Sequence, residues 1–534
     1  MSEPGTLLSC LERAAASGEG VRFLNRSEER TVLYRNVLER ARAVAGGLAA
    51  MGVEPGSRVA VAVPTSPEFY DAFFGVLAAG AAPLSLPLPP RFGSRRSFND
   101  ELRASMKAAG SRLVLTDLAG RVRLPDLTVV ALGELPDAPP RLVDGEPDSL
   151  ALVQLSSGTT GLPKPIPLTH RQLLANVRAI RDRILECYPA QQGYEHSGVS
   201  WLPLYHDMGL VGAILTALAH PAPLTLMKPE EFVARPARWL QAISRYRATI
   251  SAAPHFAYEL TLERVRDEEL QSVDLSSWLL ALDGAEPVTA STLERFYRRF
   301  RAYGLRREAL TPVYGLAEAS LAVTFSDPDQ SFTYRSFDAA ALVEKEEAVE
   351  TAGGVEIVSS GKPLPRVEVE IADEVGTRLS EGRVGRVLIR GSSVTSDGVD
   401  GEGFLDTGDR GFLRDGELYL CGRSRDLLIL RGRNYAPEMI EEAVEGVSGL
   451  RAGAVAAVSL LGERGFGLCL LAERGFDLVP EDEERAIDEI RALVVERCGV
   501  DPAVVFLDPG ALPRTSSGKI RRQEAARLFA GARL

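Results

Sequence analysis

At 534 residues the chain exceeds what one hydrophobic core organises, so roughly two to four domains are expected. Its hydrophobic content of 45% and charged content of 25% exclude a disordered chain. The formal charge of −12 leaves no electrostatic footprint for nucleic acid or for an anionic membrane. The five cysteines, Cys10, Cys187, Cys421, Cys469 and Cys498, are scattered, odd in number and without zinc or CxxC spacing, which points to a reducing cytoplasm. The start, "MSEPGTLLSCLERAAASGEG", places acids early and lacks a basic stretch before a long apolar one, so no signal peptide is read there.

In chain order, "SRVAVAVPTSPEFYDAFFGVLAAGAAPLSLPL" (57–88) comes first. It reads as a strand ending at Pro64, a helix capped by Ser66 and opened by Pro67, a stop at Gly80 and a second strand. That is a βαβ unit, and it predicts a parallel sheet. Short buried strands follow at 111–117, 150–155, 222–227, 248–254 and 278–284, with helical stretches such as "PARWLQAISRYR" (236–247) between several of them. Two uncharged stretches, 72–90 and 209–227, approach membrane-spanning length, but the prolines in both favour buried helix–turn–strand units, with no integral membrane association. The acidic segment 326–354 is weakly patterned and reads as an insertion or a mobile loop. From about 353 strand and turn alternate, as in a small β-rich subdomain extending to about 420, and a compact α+β tail follows beyond 426.

Several stretches carry chemistry. "QLSSGTTGLPKPIPLTH" (154–170) follows an apolar strand with a turn rich in Gly, Ser and Thr, whose N–H and hydroxyl donors join Lys164 in suiting nucleotide phosphates. It is not the common phosphate loop, which needs G-x-x-x-x-G-K-[ST], and taken alone it reads equally as a flexible polar loop. "VYGLAEAS" (313–320) sets Glu318 after a strand, and one carboxylate with substrate phosphates is the usual way to hold Mg²⁺. "DGAEP" (283–287) forms a turn whose backbone can line a planar base. "FLDTGDRGFL" (404–413) brings Asp409 to a turn, where a carboxylate can accept two ribose hydroxyls. "LPRTSSGKIRRQ" (512–523) sets Lys519 in a Ser/Gly turn. Each alone reads better as a surface turn.

Together and in this order, these stretches resemble the acyl-adenylating superfamily of acyl-CoA synthetases, firefly-type luciferases and peptide-synthetase adenylation domains. The resemblance runs from about residue 30 to the C-terminus. It is most similar to the fatty acyl-AMP ligases, through "SWLPLYHDMGLVG" (200–212), "SAAPHFAYEL" (251–260), "GAEPV" (284–288), "YGLAEASLAVTF" (314–325) and "GRSRDLLILRGRNYAPEMIE" (422–441). The segment after Phe325 sits where those ligases carry an insertion that CoA-forming relatives lack.

The resemblance implies an α/β fold. A large N-terminal domain (1–424) of parallel-type sheets with flanking helices and a β-rich subdomain would precede a small mobile α+β C-terminal domain (425–534). It further implies ATP and Mg²⁺ as cofactors. Ser157, Thr159, Thr160, Gly161 and Lys164 would follow the triphosphate. Gly284, Ala285, Glu286 and Pro287 would flank adenine, with Tyr314 stacked on it beside Gly315. Asp409 and Arg423 would fix the ribose, Glu318 would hold Mg²⁺, and Arg425 would be the hinge. Lys519 would bridge the acid and the α-phosphate, with His206 beside the acid's carboxylate. Tyr205, Met208, Gly209, Phe256 and Ala317, with Leu204 nearby, would line an apolar acyl pocket for a fatty or other lipophilic acid. The acceptor implied by the insertion is the phosphopantetheine thiol of an acyl carrier protein. An acyl- or aryl-CoA synthetase is the closest rival, and an adenylate-binding protein without turnover a second.

Three positions depart from the family pattern. Pro165 stands where Gly usually follows the loop lysine. Asp283 replaces an expected Asn and brings a charge to the adenine edge. The segment before Asp409 lacks an aromatic "GYW" and is short.

Overall fold

The computed structural model describes residues 3–25, 28–88, 95–117, 126–143, 145–156, 164–189, 195–423, 426–430, 433–462, 465–475, 478, 482–515 and 518–529. Its largest element is a nine-stranded sheet. The six central strands all run parallel, in the order Leu310–Gly315, Leu280–Gly284, Ile250–Pro254, Gly198–Ser200, Leu224–Met227 and Gly20–Leu24. Antiparallel strands close both edges, Glu29–Leu33 on one side and Ala322–Phe325 with Lys362–Pro363 on the other. The central strands are buried along most of their length, as the short apolar runs of the sequence require when helices cover both faces.

The βαβ unit is present. Strand Arg58–Ala62, helix Pro67–Ala78 and strand Ala82–Ser85 form it, with Val59 paired to Pro83 in parallel register. Together with Leu113–Thr116 and Thr128–Ala131 it makes a second, four-stranded parallel sheet. Ser66 occupies the cap position, but its hydroxyl makes no capping bond; Pro67 at the first turn opens the helix instead. The 150–155 strand joins neither parallel sheet. It is Leu150–Ser156, one arm of an antiparallel hairpin with Lys164–Thr169, so Ser156 and Lys164 face each other across the mouth of the polar loop.

Residues 209–227 divide into a π-helix (Met208–Leu215), one α-helical turn (Thr216–Ala219) and the strand Leu224–Met227. Among the described residues no helix is long and apolar enough to cross a membrane. An antiparallel sheet of Val367–Ala372, Gly385–Gly391, Leu405–Arg414 and Glu417–Arg423 forms the β-rich part. The smaller C-terminal α+β region holds a two-stranded ribbon, Leu428–Leu430 with Arg433–Tyr435, and a three-stranded sheet of Leu450–Gly462, Gly465–Arg474 and Ala503–Leu507. Its helices are Pro437–Ala443, Glu483–Cys498 and Arg522–Leu528.

The segment 326–354 is not a loose loop. Strand Tyr334–Phe337 pairs with Val355–Val358, and Phe337, Leu342 and Ala348 share a core with Phe412 and Tyr419 of the β-rich sheet and with Ala436 and Met439 beyond it. The Phe337 ring is fully buried, 5.0 Å from Phe412 and 6.0 Å from Tyr419, centroid to centroid. The acidic residues that hid this pattern lie on its outer face: Glu346, Glu347 and Glu350 pair with Arg410, Arg383 and Arg335.

Candidate active site

Four sequence-distant stretches converge because they all follow the C-terminal ends of neighbouring parallel strands, the edge at which open α/β sheets form their binding crevices. Gly198–Ser200 leads to Tyr205–Met208, Ile250–Pro254 to Phe256, Leu280–Gly284 to Ala285–Pro287, and Leu310–Gly315 to Ala317 and Glu318. They open on one cavity of about 2480 Å³, closed from above by the β-rich sheet and the C-terminal region. Ala285 and Ser320 adopt positive φ, 67° and 70°. Left-handed backbone at non-glycine residues marks a geometry that the surroundings impose, and both lie beside the cavity.

On the β-rich side, Asp409 and Arg423 are cross-strand neighbours, with Arg423 Nε donating to Asp409 Oδ1 at 3.0 Å. The second oxygen of Asp409 accepts from the Tyr314 hydroxyl at 2.6 Å, so the tyrosine ring is anchored at its far end while its body lines the cavity. Glu318 also lines the cavity, and among the described residues its carboxylate has no cationic partner. Its backbone carbonyl accepts from Thr395 N–H at 2.7 Å, and Ser320 donates to the Ser393 carbonyl at 2.8 Å. The short segment before Asp409 thus braces the Glu318 turn. It closes on itself through Asp400, whose Oδ1 accepts from the N–H groups of Glu402 and Phe404.

On the sheet side, His206 Nδ1 lies 2.7 Å from Asp207 Oδ1, which also accepts from Met208 N–H. Burial works against the Asp207 charge, but His206, Lys519 and that N–H outweigh it and hold the carboxyl below its usual range. Glu286 accepts from Phe256 N–H at 3.0 Å, and burial raises its carboxyl.

Lys519 reaches this cavity from the far end of the chain. Its loop is tied down by Thr515, whose N–H donates to the Lys519 carbonyl at 2.7 Å and whose hydroxyl accepts from Lys519 N–H at 3.1 Å. Three residues on, Arg522 pairs with Glu438 and Glu441 and fixes the following helix. Burial and the nearby Arg423 lower the affinity of the ammonium for its proton, and Glu286, Asp207 and Asp409 partly offset them.

The cavity brings together Lys164, Tyr205, His206, Met208, Phe256, Ala285, Glu286, Pro287, Tyr314, Gly315, Ala317, Glu318, Asp409, Arg423 and Lys519. Gly209 does not line it. A Cβ there would meet the Pro203 carbonyl at 2.3 Å, so this glycine permits close packing of the π-helix, and Gly212 and Ala213, one turn on, face the cavity instead. Gly284 likewise packs against Val313 rather than facing the cavity. Ser157, Thr159, Thr160, Gly161 and Arg425, the residue expected at the hinge, lie outside the described residues. Asp207 went unread in the sequence although it sits within "YHDMG". The charge of Asp283 is matched by His255, whose Nδ1 lies 2.7 Å from Asp283 Oδ2.

A cleft at the C-terminal edge of a parallel sheet, closed by a small α+β region that delivers a lysine, defines an adenylate-forming ligase. The chain belongs to the AMP-binding enzyme family, whose model matches residues 11–397. It is 33% identical over 577 residues to the medium-chain-fatty-acid–[acyl-carrier-protein] ligase JamA of Moorena producens, covering 98% of this chain and 95% of that one. A solved structure from work on fatty acyl-adenylate ligases of E. coli and L. pneumophila superposes with a TM-score of 0.90 at 34% identity, covering 99% and 98% of the two chains. A fatty acyl-adenylate ligase from L. pneumophila, solved with acyl adenylate and pyrophosphate, matches with a TM-score of 0.75 at 29% identity over 99% and 96%.

Proposed function

We propose that the chain activates a fatty or similarly lipophilic carboxylic acid as its acyl adenylate and passes the acyl group to the phosphopantetheine thiol of an acyl carrier protein. The observation that carries this reading is the arrival of Lys519 in the cavity that also holds His206, Glu318, Tyr314 and the Asp409–Arg423 pair. In the first step a carboxylate oxygen attacks the α-phosphorus of ATP. The bond to the β-phosphate oxygen breaks and pyrophosphate leaves with that electron pair. Two anions must meet, so an ammonium placed between them stabilises the charge that develops in the transition state.

Glu318 suits Mg²⁺: an unpaired carboxylate in a cavity that accepts a triphosphate is the ligand set this ion takes. Bound there, the ion would neutralise phosphate charge. In this reading Asp409 and Arg423 hold the ribose, Tyr314 lies on the adenine beside Ala285–Pro287, and Lys164 with the adjoining Ser/Thr/Gly loop follows the β- and γ-phosphates. The acyl chain runs past Met208 and Gly212 along the π-helix, where Ala213, Ala217 and Leu321 supply small or apolar walls. In the second step the thiolate attacks the acyl carbon and AMP leaves. Lys519 has to withdraw first, and we assign the pivot to Arg425, with the boundary between the two domains there.

The packing of the 326–354 segment on both the β-rich sheet and residues Ala436 and Met439 supports a carrier protein over CoA, because it fills ground between that sheet and the start of the C-terminal region. Pyrophosphate release across acids of graded length, followed by transfer to holo-carrier protein or to CoA, tests the proposal. Release with medium or long acids and transfer to the carrier is expected; efficient acyl-CoA formation would overturn the acceptor.

A further inference from the structure

A second polar cluster lies where the C-terminal region meets the large sheet. His255 begins the helix that follows strand Ile250–Pro254, and Asp283 is the penultimate residue of the neighbouring strand; the parallel register sets Ala253 beside Asp283. The imidazole and carboxylate meet at 2.7 Å, both buried. The other ring nitrogen lies 3.0 Å from Thr289 Oγ1, which lies 2.8 Å from Glu445 Oε1. Thr292 donates to the same Glu445 oxygen at 2.6 Å. Glu445 belongs to the C-terminal region, 156 residues beyond Thr289.

Thr289 has one hydroxyl proton. The Thr289 backbone N–H, 3.3 Å away, can donate to His255 Nε2 only in the neutral ring; with the ring protonated and the hydroxyl proton given to Glu445, the Thr289 oxygen accepts from Nε2–H. The chain then reads carboxylate, imidazolium, hydroxyl, carboxylate, an alternation that strengthens every link. The surroundings give Glu445 little else to hold. Its acidic neighbours are Glu259 and Glu442, and among the described residues no Lys or Arg pairs with Glu445 or Glu259. A ring nitrogen of His255 and one oxygen each of Glu259 and Glu445 lie within 4.8 Å of one another, a spacing that suits metal ligands, but Thr289 already bridges the ring and Glu445, so hydrogen bonds account for the grouping.

The position of this chain gives it a consequence. Asp283 immediately precedes the turn Gly284–Pro287. Phe256, next to His255, donates its N–H to Glu286 of that turn, and its ring lies where a Cβ on Gly518, the residue before Lys519, would come within 3.2 Å. Turn, relay and lysine loop are therefore one packed unit.

We propose that Asp283, His255, Thr289 and Glu445 form a latch that holds the C-terminal region in the adenylate-forming arrangement, with His255 and Thr289 as positioning residues that touch no substrate. The latch rests on the reaction proposed above. It has to open before the thiol enters, so its loss weakens the first half-reaction and not the second. Coupling through such an element is worth about 5–150-fold.

The test measures pyrophosphate release and, separately, transfer from supplied synthetic acyl-AMP to holo-carrier protein. In Thr289→Val and in Glu445→Gln, release should slow about tenfold while transfer is undiminished. The double variant should be no slower than either single one, because both break the same chain. Thr289→Ser, which keeps the hydroxyl, should restore release. Release within twofold of wild type in Thr289→Val, equal slowing of both half-reactions, or a double variant as slow as the product of the singles would each overturn the latch. If the wild-type chain releases no pyrophosphate with any acid, the activity reading has failed instead. Amide exchange over 437–447, read without substrate, still decides the latch: it should be faster in Thr289→Val than in Thr289→Ser, and equal rates overturn it.

Discussion

Lys519 carries its ammonium into the cavity as a half-buried side chain, and the loss of solvation there sets its chemistry. Removing it should slow pyrophosphate release roughly 10²–10³-fold, by analogy with loss of one preorganised oxyanion donor. Release by Lys519→Ala at wild-type speed would end the proposed mechanism. Because burial and Arg423 ease its proton off below the ordinary lysine range, the rate of the first step should fall at alkaline pH sooner than a free lysine would dictate. A pH–rate profile, with Lys519→Arg flattening that limb, checks this. At Asp283 a charge that looks misplaced in the sequence is half of a buried pair. Burial opposes the His255 cation, but Asp283 outweighs it and raises the ring to about 10, above the ordinary value near 6.5. Burial also lifts Glu259 to about 8. Both folded-state values exceed the unfolded ones, so both groups favour the folded chain at low pH. That preference is complete for His255 below about 6.5 and is lost as pH climbs towards 10. The melting temperature of wild type should therefore fall over that window, and His255→Asn should show a shallower slope.

Two elements convert position into selectivity. The π-helix Met208–Leu215 turns Gly212 towards the cavity, where a Cβ would come within 3.0 Å of Leu321. Wide-turn helices recur at functional sites because the extra residue re-aims side chains. Gly212→Val should narrow the acyl path: activity on long acids should drop at least about tenfold while the shortest accepted acids are spared, one or two lost methylene contacts being worth about 1–3 kcal/mol. A chain-length series measured by pyrophosphate release decides it. The Thr515–Lys519 turn is the second element. Gly518 has φ of 94° and faces the Phe256 ring, so alanine there is both strained and crowded. Gly518→Ala should reduce the first half-reaction, read as pyrophosphate release.

Across the whole molecule, the 326–354 segment ties the β-rich sheet to the C-terminal region through one apolar core. Phe337→Ala would open a cavity there at a cost of about 3–5 kcal/mol. If the segment governs the acceptor, the ratio of CoA to carrier-protein transfer should rise in this variant while pyrophosphate release persists. An unchanged ratio would separate the segment from acceptor choice.

The sequence by itself determined the parallel-sheet units, the strand-then-turn placement of each chemical stretch, and the family, because short apolar runs, Gly/Pro stops and polar turns are local signals. Tyr314, Glu318, Asp409, Arg423 and Lys519 were legible as individuals in the same way. Only the tertiary structure decided which of them share a cavity, since that depends on parallel strands aligning their ends across hundreds of residues. It also decided that Gly209 packs while Gly212 faces the cavity, a matter of helical phase that the wider π-turn shifts. The pairing of Asp283 with His255, and through Thr289 with Glu445, joins three separate elements by side-chain distance alone, and no spacing along the chain encodes that.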